Sequence, residues 1–229
     1  MNVILLLAEI IVVFSTVLFV NRLFGKTGLT VWVAVASIAA NIFTAKTSTF
    51  FGFDAALGTV LFASNFLATD ILCENYGEKY AKRAVVIGVC SILFFTISAQ
   101  VALLYTPSSH DYAHDAMQTL FALNLRISIS SAVMYFIANL LDVYLYQAIR
   151  KKTGSRLLWV RNNVATILCN CLENFAFILI AFYGVYSFAE CIEIAVVTSV
   201  IETVIAICDT PFLYAARKWK TKANTLAAA

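Results

Sequence analysis

Charge is scarce in this chain. Charged residues make up 13% of its 229 residues while 62% are hydrophobic, against about 25% and 45–50% in a soluble domain. Mean hydropathy is +0.86, which excludes an ordinary soluble fold and points to an integral membrane protein. Proline is nearly absent, at two residues, and no stretch reads as a linker, a repeat or a low-complexity tract. Also missing are a glycine-rich phosphate loop, an HExxH pair and a nucleophile elbow, so no motif argues for an enzyme or for ATP binding. No cofactor is expected. Six cysteines are present, but Cys73, Cys90, Cys169, Cys171, Cys191 and Cys208 all lie in or beside apolar runs. Cys169 and Cys171, two apart on a helix, point in different directions and make a poor metal pair, so the cysteines read as small buried hydrophobes.

What is present is length in the apolar runs. They fall at residues 3–23, 29–45, 55–73, 84–105, 120–147, 159–183 and 192–213. Each is near or above the ~17–25 residues that cross a hydrocarbon core. The second is marginal, and the fifth is long enough to need tilt or a protruding turn. The first lacks a basic start and a small-residue cleavage site, which favours a retained helix over a signal peptide. The terminal residues 226–229 read as a frayed tail.

The basic residues divide these runs into sides. With the N-terminus outside, the cytoplasmic segments hold Arg22 and Lys26, then Lys79, Lys82 and Arg83, then Arg150, Lys151, Lys152, Arg156 and Arg161, and finally Arg217, Lys218, Lys220 and Lys222. That places 14 of the 16 Lys and Arg on one side, leaving Lys46 and Arg126. The positive-inside rule then predicts seven transmembrane helices with the N-terminus outside and the C-terminus cytoplasmic, in the cell inner (plasma) membrane. The net charge of +3 is a topology signal, and nucleic acid is not an expected partner.

Once spans have a direction, polar residues have a depth. Asn65, Glu173 and Glu202 lie near the midpoints of their runs, Asn41, Gln100 and Arg126 in the outer halves, and Asp70, Asp142 and Asp209 toward the cytoplasmic ends. Glu173 shares one helical face with Asn170 and Asn174, at i, i−3 and i+1. A charged group at bilayer centre costs ~2.5–3.5 kcal/mol on insertion scales and persists where it meets a cavity, a partner or a ligand. Three readings of this middle layer stand side by side: protonated and packed, paired with Arg126, or binding a polar solute. The unpaired capacity of Asn170 and Asn174, with Phe175 and Phe177 close by, suits a flat hydrogen-bonding ring.

The inner layer has two readings of its own. Asp70, Glu74, Glu78 and Asp142 share a depth with Lys79, Lys82, Arg83, Arg150 and Arg161. They form either static ion pairs and caps or an inner gate of Asp70, Glu74, Asp142, Arg161 and Asp209. Pro211, after Asp209 and Thr210, removes a backbone donor and marks a possible kink. His110 and His114 read as part of an exposed polar loop at 109–115. Ala36 and Ala40 form a small-xxx-small pair that lets helices approach closely.

Residues 63–79, ASNFLATDILCENYGEK, carry more. Together with Asp142-Val143-Tyr144, residues 158–166 (LWVRNNVAT) and Ala181-Phe182, this run resembles the queuosine precursor transporter family, also called the vitamin uptake transporter family. The resemblance covers most of the chain from about Leu29 onward. It implies a six-helix bundle similar to the substrate-binding S-components of energy-coupling factor transporters. On that basis residues 1–28 form an additional N-terminal transmembrane helix, 29–219 the six-helix transporter unit and 220–229 a disordered tail.

The activity implied is import of 7-deazaguanine precursors of queuosine (preQ0, preQ1, queuine or queuosine) for tRNA modification. The partner is then a small deazapurine inside a lipid bilayer, with a homo-oligomer or an energising module as further partners. In that light Glu173 is the expected acceptor for a guanine-like donor edge. Asn170 or Asn174 would donate to the ring carbonyl, and Asn65, Arg126, Gln100 and Asn41 complete the pocket. Glu202 faces a cationic substituent or carries a coupling proton. The family often has Asp where this chain has Glu173, one methylene shorter. The alternative is a substrate-capture subunit for a vitamin-like solute that works with a separate ATP-driven module, docked through Ala36 and Ala40.

Overall fold

The computed structural model describes residues 1–50, 53–121, 125–154, 156–184 and 186–227, without side-chain description at 47, 50, 53–56, 125–129 and 220–227. It is an α-helical membrane protein with one small β-hairpin. The helices are α1 (Asn2–Phe43), α2 (Thr59–Asn75), α3 (Glu78–Leu104), α4 (His114–Phe121), α5 (Leu125–Thr153), α6 (Leu158–Phe182) and α7 (Phe188–Ala227). Five of them are long and apolar enough to cross a membrane. The shorter α2 has 17 residues.

The 42 residues of α1 would extend ~63 Å if straight, twice the hydrocarbon thickness. The helix breaks at Gly25, whose φ of 56° and ψ of −137° lie outside helical space. Beyond the break the chain doubles back. Asn2, at the start of α1, donates from Nδ2 to Ser48 Oγ at 2.9 Å and to the Thr49 carbonyl at 3.1 Å. Residues 2–24 and 26–43 are therefore two antiparallel arms. Gly28 allows the turn to close, because a Cβ there would sit 2.7 Å from Phe24 Cβ and 2.8 Å from Val20 Cγ1. The first and second apolar runs are thus two limbs of one hairpin. Ile10, Phe14 and Val17 of the first arm belong to the main core, and Phe14 meets Phe212 of α7 edge-on at 5.4 Å.

Between α1 and α2 the chain forms antiparallel strands β1 (Thr47–Phe50) and β2 (Phe53–Ala56), with Thr47 opposite Ala56 and Phe50 opposite Phe53. This short pair of strands is a small addition to an otherwise all-α membrane fold, as expected. Thr and Phe, dense here, favour a pleated surface over a helix, so α2 begins at Thr59 rather than at residue 55.

The centre of the bundle is α2. Thirteen of its 17 residues are buried, and it packs against α1, α3, α5 and α7. The other long helices turn large apolar side chains outward, among them Leu5, Phe94, Ile97, Leu168 and Val204, as a lipid-facing wall requires. Ala36 and Ala40 are buried, and Gly58 closes on the Ala40 carbonyl. That small-residue face is consumed inside the chain, which removes it as a docking surface for another module. Pro211 does not end its helix, and α7 runs through it. The histidines depart in part from a loop: His110 is exposed in one, while His114 opens α4. Of the cysteines, Cys73, Cys169 and Cys191 are buried as expected, Cys171 and Cys208 are half-buried, and Cys90 is exposed.

Candidate functional site

Polar side chains gather at two levels of the bundle. The upper level begins on α6, where the i, i+3, i+4 spacing puts Asn170, Glu173 and Asn174 on the buried face. Asn174 Nδ2 donates to Glu202 Oε2 of α7 at 2.7 Å and to Ser199 Oγ at 3.3 Å. Glu173 lies close enough to Glu202 and to Tyr135 of α5 to interact electrostatically with both. Tyr135 shares a 2.8 Å hydrogen bond with Ser37 of α1, and Ser37 Oγ accepts from Asn65 Nδ2 of α2 at 3.1 Å. One polar layer thus draws on α1, α2, α5, α6 and α7, and each of these side chains is under a tenth exposed.

The fully enclosed unpaired atoms of this layer are acceptors. Asn65 Oδ1, Asn139 Oδ1, Asn170 Oδ1 and Glu173 Oε2 are buried without a hydrogen bond. The amide nitrogens of Asn65 and Asn139 are already committed, to Ser37 and to the Tyr135 carbonyl. With these acceptors enclosed and the Asn170 amide nitrogen also uncommitted, the layer offers a guest more oxygen lone pairs than donors, which matches a solute rich in N–H groups.

Other expected members lie apart from it. Asn41 donates to the Ser37 carbonyl of its own helix at 2.9 Å. Gln100 donates to the Phe121 carbonyl and so ties α3 to the end of α4. The side chain of Arg126 lies outside the described residues.

The lower level resolves into two different constellations. Glu74 of α2 is ringed by arginines. Arg161 Nη2 of α6 lies 2.7 Å from Oε2, Arg217 Nε of α7 3.3 Å from Oε1, and Arg150 Nε of α5 3.8 Å from Oε2. Tyr146 adds a hydroxyl at 3.2 Å. Arg161 is fully buried and also donates to the Gly154 and Arg156 carbonyls. The Arg150 guanidinium caps the Cys73 carbonyl at 2.8 Å. A recess of about 350 Å³ opens beside this knot, lined by Glu74, Gln147, Arg150, Lys151, Gly154 and Arg217. One helical turn away, Asp70, Asp142 and Asp209 converge from α2, α5 and α7, and among the described residues no basic side chain is bonded to any of them. Asp142 Oδ1 accepts from Thr166 at 3.2 Å and Asp209 Oδ1 from Asn162 at 2.6 Å. Among the described residues no group of His, Cys, Asp and Glu has a metal-binding arrangement.

The layout combines a multi-helix polar layer inside a lipid-facing wall with a guanidinium knot at one end. The chain's relatives give this layout a family. The profile described as "Putative vitamin uptake transporter" matches residues 56–216. The chain belongs to this vitamin uptake transporter family. A Bacillus subtilis (strain 168) protein named "Probable queuosine precursor transporter" is 37% identical over 209 residues, covering 91% of each chain. The Escherichia coli (strain K12) "Queuosine precursor transporter" is 29% identical over 134 residues, 58% of this chain and 57% of its own. No solved structure matches the chain. Membership in the vitamin uptake transporter family makes this a multi-pass membrane protein of a transporter family, as the helices also indicate.

Sequence reasoning missed Ser37, Tyr135, Asn139 and Ser199 at the upper level, and Tyr146, Asn162, Thr166 and Arg217 at the lower. Hydroxyls and amides repeated at mid-run in the first, fifth and seventh helices were the available signal.

Proposed function

We propose that this protein imports 7-deazaguanine precursors of queuosine across the cell inner (plasma) membrane, and that the upper polar layer binds the base. The carrying observation is the set of buried, unpaired acceptors on α2, α5 and α6, in a chain 37% identical to a protein named as a probable queuosine precursor transporter. A 7-deazaguanine presents ring N–H and exocyclic amino donors, and carbon replaces the N7 acceptor of guanine. Glu173 Oε2 takes the paired donors of the guanine-like edge, and the Asn65 and Asn170 oxygens take those at the ring periphery. Glu202, held by Asn174, faces the substituent at position 7, where preQ1 carries an ammonium group.

Seven spans serve this transport: the two arms of α1, then α2, α3, α5, α6 and α7, with the N-terminus outside and the C-terminus cytoplasmic. Residues 1–28 add one helix to the six-helix unit 29–219. Glu74 with Arg150, Arg161 and Arg217 forms the inner gate, joining four helices through one carboxylate. Alternating access opens the upper layer outward first and then, as the gate parts, inward.

The experiment is uptake of labelled preQ0 and preQ1 into queuosine-deficient cells expressing the chain. Glu173→Ala abolishes uptake while the protein stays in the membrane. Normal uptake by that variant removes the site assignment. A thermal-shift series on purified protein supplies the substrate: a deazapurine at 100 times its Kd adds ~2.7 kcal/mol of stability, and silence across all purines overturns the reading.

A further inference from the structure

Asp70 has surroundings that the base-binding layer and the arginine knot do not use. Its side chain is fully buried, and neither carboxylate oxygen receives a hydrogen bond from any donor. Asp142 faces it from α5 at hydrogen-bonding range, and Asp209 faces it from α7. Asp142 is also fully buried, and its Oδ2 is unbonded. The titratable and charged groups turned toward Asp70 are Asp142 and Tyr146 on α5, Arg161 and Cys169 on α6, Asp209 on α7, and Cys73 on its own helix.

Arg161 is the one cation among them. Its Nη2 is engaged with Glu74 and its Nη1 with two backbone carbonyls, while its Nε has no partner and makes no bond to Asp70. Asp70 therefore meets another carboxyl group where a buried anion needs a donor. Two carboxylates in contact and shielded from water cannot both carry charge, and they lower their energy by holding one proton between them. The partners of the other two acids fit this division. Thr166 donates to Asp142 and Asn162 to Asp209, so each has a donor of its own and Asp70 has only the shared hydrogen.

A metal ion is the competing occupant of an acidic cluster. The described residues hold no arrangement of three ligands suited to one, and the unbonded oxygens belong to two side chains in mutual contact.

We propose that the Asp70–Asp142 pair, with Asp209 beside it, is a proton-binding site that couples proton movement to transport. This rests on the transport reading above for its second half alone. Asp70 is one helical turn from Glu74 on α2, so loss of the shared proton places a second negative charge next to Arg161. Arg161 is then drawn from Glu74 toward Asp70, which loosens the inner gate. Proton release to the inside and opening to the inside become one event, and no bond other than O–H is made or broken.

Full-length protein in lipid vesicles tests the coupling with labelled preQ1 as probe. An inward proton gradient drives accumulation of about tenfold per pH unit if one proton accompanies each substrate. Asp70→Asn and Asp142→Asn each lose that drive and still bind preQ1 in a thermal-shift titration, since neither belongs to the base-binding layer. Indifference to the proton gradient, or accumulation driven by sodium at constant pH, overturns the proposal.

Infrared spectroscopy of the purified protein decides the site without any substrate and separates its failure from that of the transport reading. The wild type shows a protonated-carboxyl C=O band that disappears on alkaline titration, and Asp142→Asn removes it. Glu173→Gln and Glu202→Gln leave that band in place, which keeps the upper-layer carboxyls out of the assignment, and Asp70→Asn replaces Asp142→Asn if the latter does not fold. A spectrum with no titrating carboxyl band overturns the proton site, whatever the transported solute.

Discussion

Arg161 and Glu74 meet at 2.7 Å with side chains 0% and 6% exposed, from helices α6 and α2 that are 87 positions apart in sequence at this contact. The guanidinium also holds the Gly154 and Arg156 carbonyls, so it fastens the α5–α6 turn to the central helix. Truncating one member of a buried pair leaves the other charge uncompensated, at about 3–5 kcal/mol. Arg161→Ala is expected to lower the melting temperature strongly and to abolish uptake. Arg161→Lys is expected to restore little, because an ammonium cannot reproduce the planar fork. Thermal unfolding in detergent checks both. Near-wild-type melting of Arg161→Ala would show the pair to be dispensable.

The double-back of α1 is tested by cross-linking. Cysteines replacing Asn2 and Ser48, in a background without the native cysteines, are expected to form a disulfide under mild oxidation and shift mobility on a non-reducing gel. A straight helix would hold them tens of ångströms apart and give no product.

Glycine at the break carries its own prediction. Gly25 has a positive φ, and a residue with a Cβ in such a region is strained by about 1–3 kcal/mol. Gly25→Val is expected to destabilise, and Gly25→Asn less so, since Asn tolerates positive φ better. Gly28→Ala is expected to destabilise through a clash, because its new Cβ would press on Val20 and Phe24. Melting temperatures of the three variants rank the effects.

Asn174 donates to Glu202 at 2.7 Å. Asn174→Leu leaves a buried carboxylate without its donor, at about 1–3 kcal/mol. Weaker binding of the transported solute is expected, by roughly tenfold for each 1.4 kcal/mol that falls on the bound state. Asn174→Asp is expected to be worse still, because it sets two carboxylates in contact. A ligand titration by thermal shift or calorimetry measures the change.

The hydroxyl chain from Tyr135 through Ser37 to Asn65 is short and fully buried. Tyr135→Phe removes one hydrogen bond, at about 1 kcal/mol. A small loss of stability is expected, with a larger loss of uptake if the chain orients Glu173. Uptake unchanged while the melting temperature falls would confine Tyr135 to a structural role.

Much of this was legible from depth alone. Apolar length marked the helices, and the i, i+3, i+4 spacing placed Asn170, Glu173 and Asn174 together on the buried face of α6. The sequence could not show that Asn41 would turn back on its own backbone, or that Gln100 would be drawn to the end of α4, since both outcomes depend on which acceptor folding brings near. The paired strands at 47–50 and 53–56 were hidden because their Thr and Phe residues also suit the edge of an apolar run. Glu74 and Asp70 looked equivalent from sequence, as acids at one depth. They differ because the arginines of α5, α6 and α7 reach only the last turn of α2, an arrangement fixed by tertiary packing.

Asn65, Asp70 and Glu74 ride on a single buried helix. Their spacings of five and four residues correspond to rises of ~7.5 Å and ~6 Å. A hydrogen-bonded rod neither stretches nor shortens appreciably, so an axial slip or rotation of α2 moves all three stations together. If the proposed base site is right, a tug at Asn65 reaches the arginines around Glu74 without any relay of side chains, as a key moves every tooth on its blade.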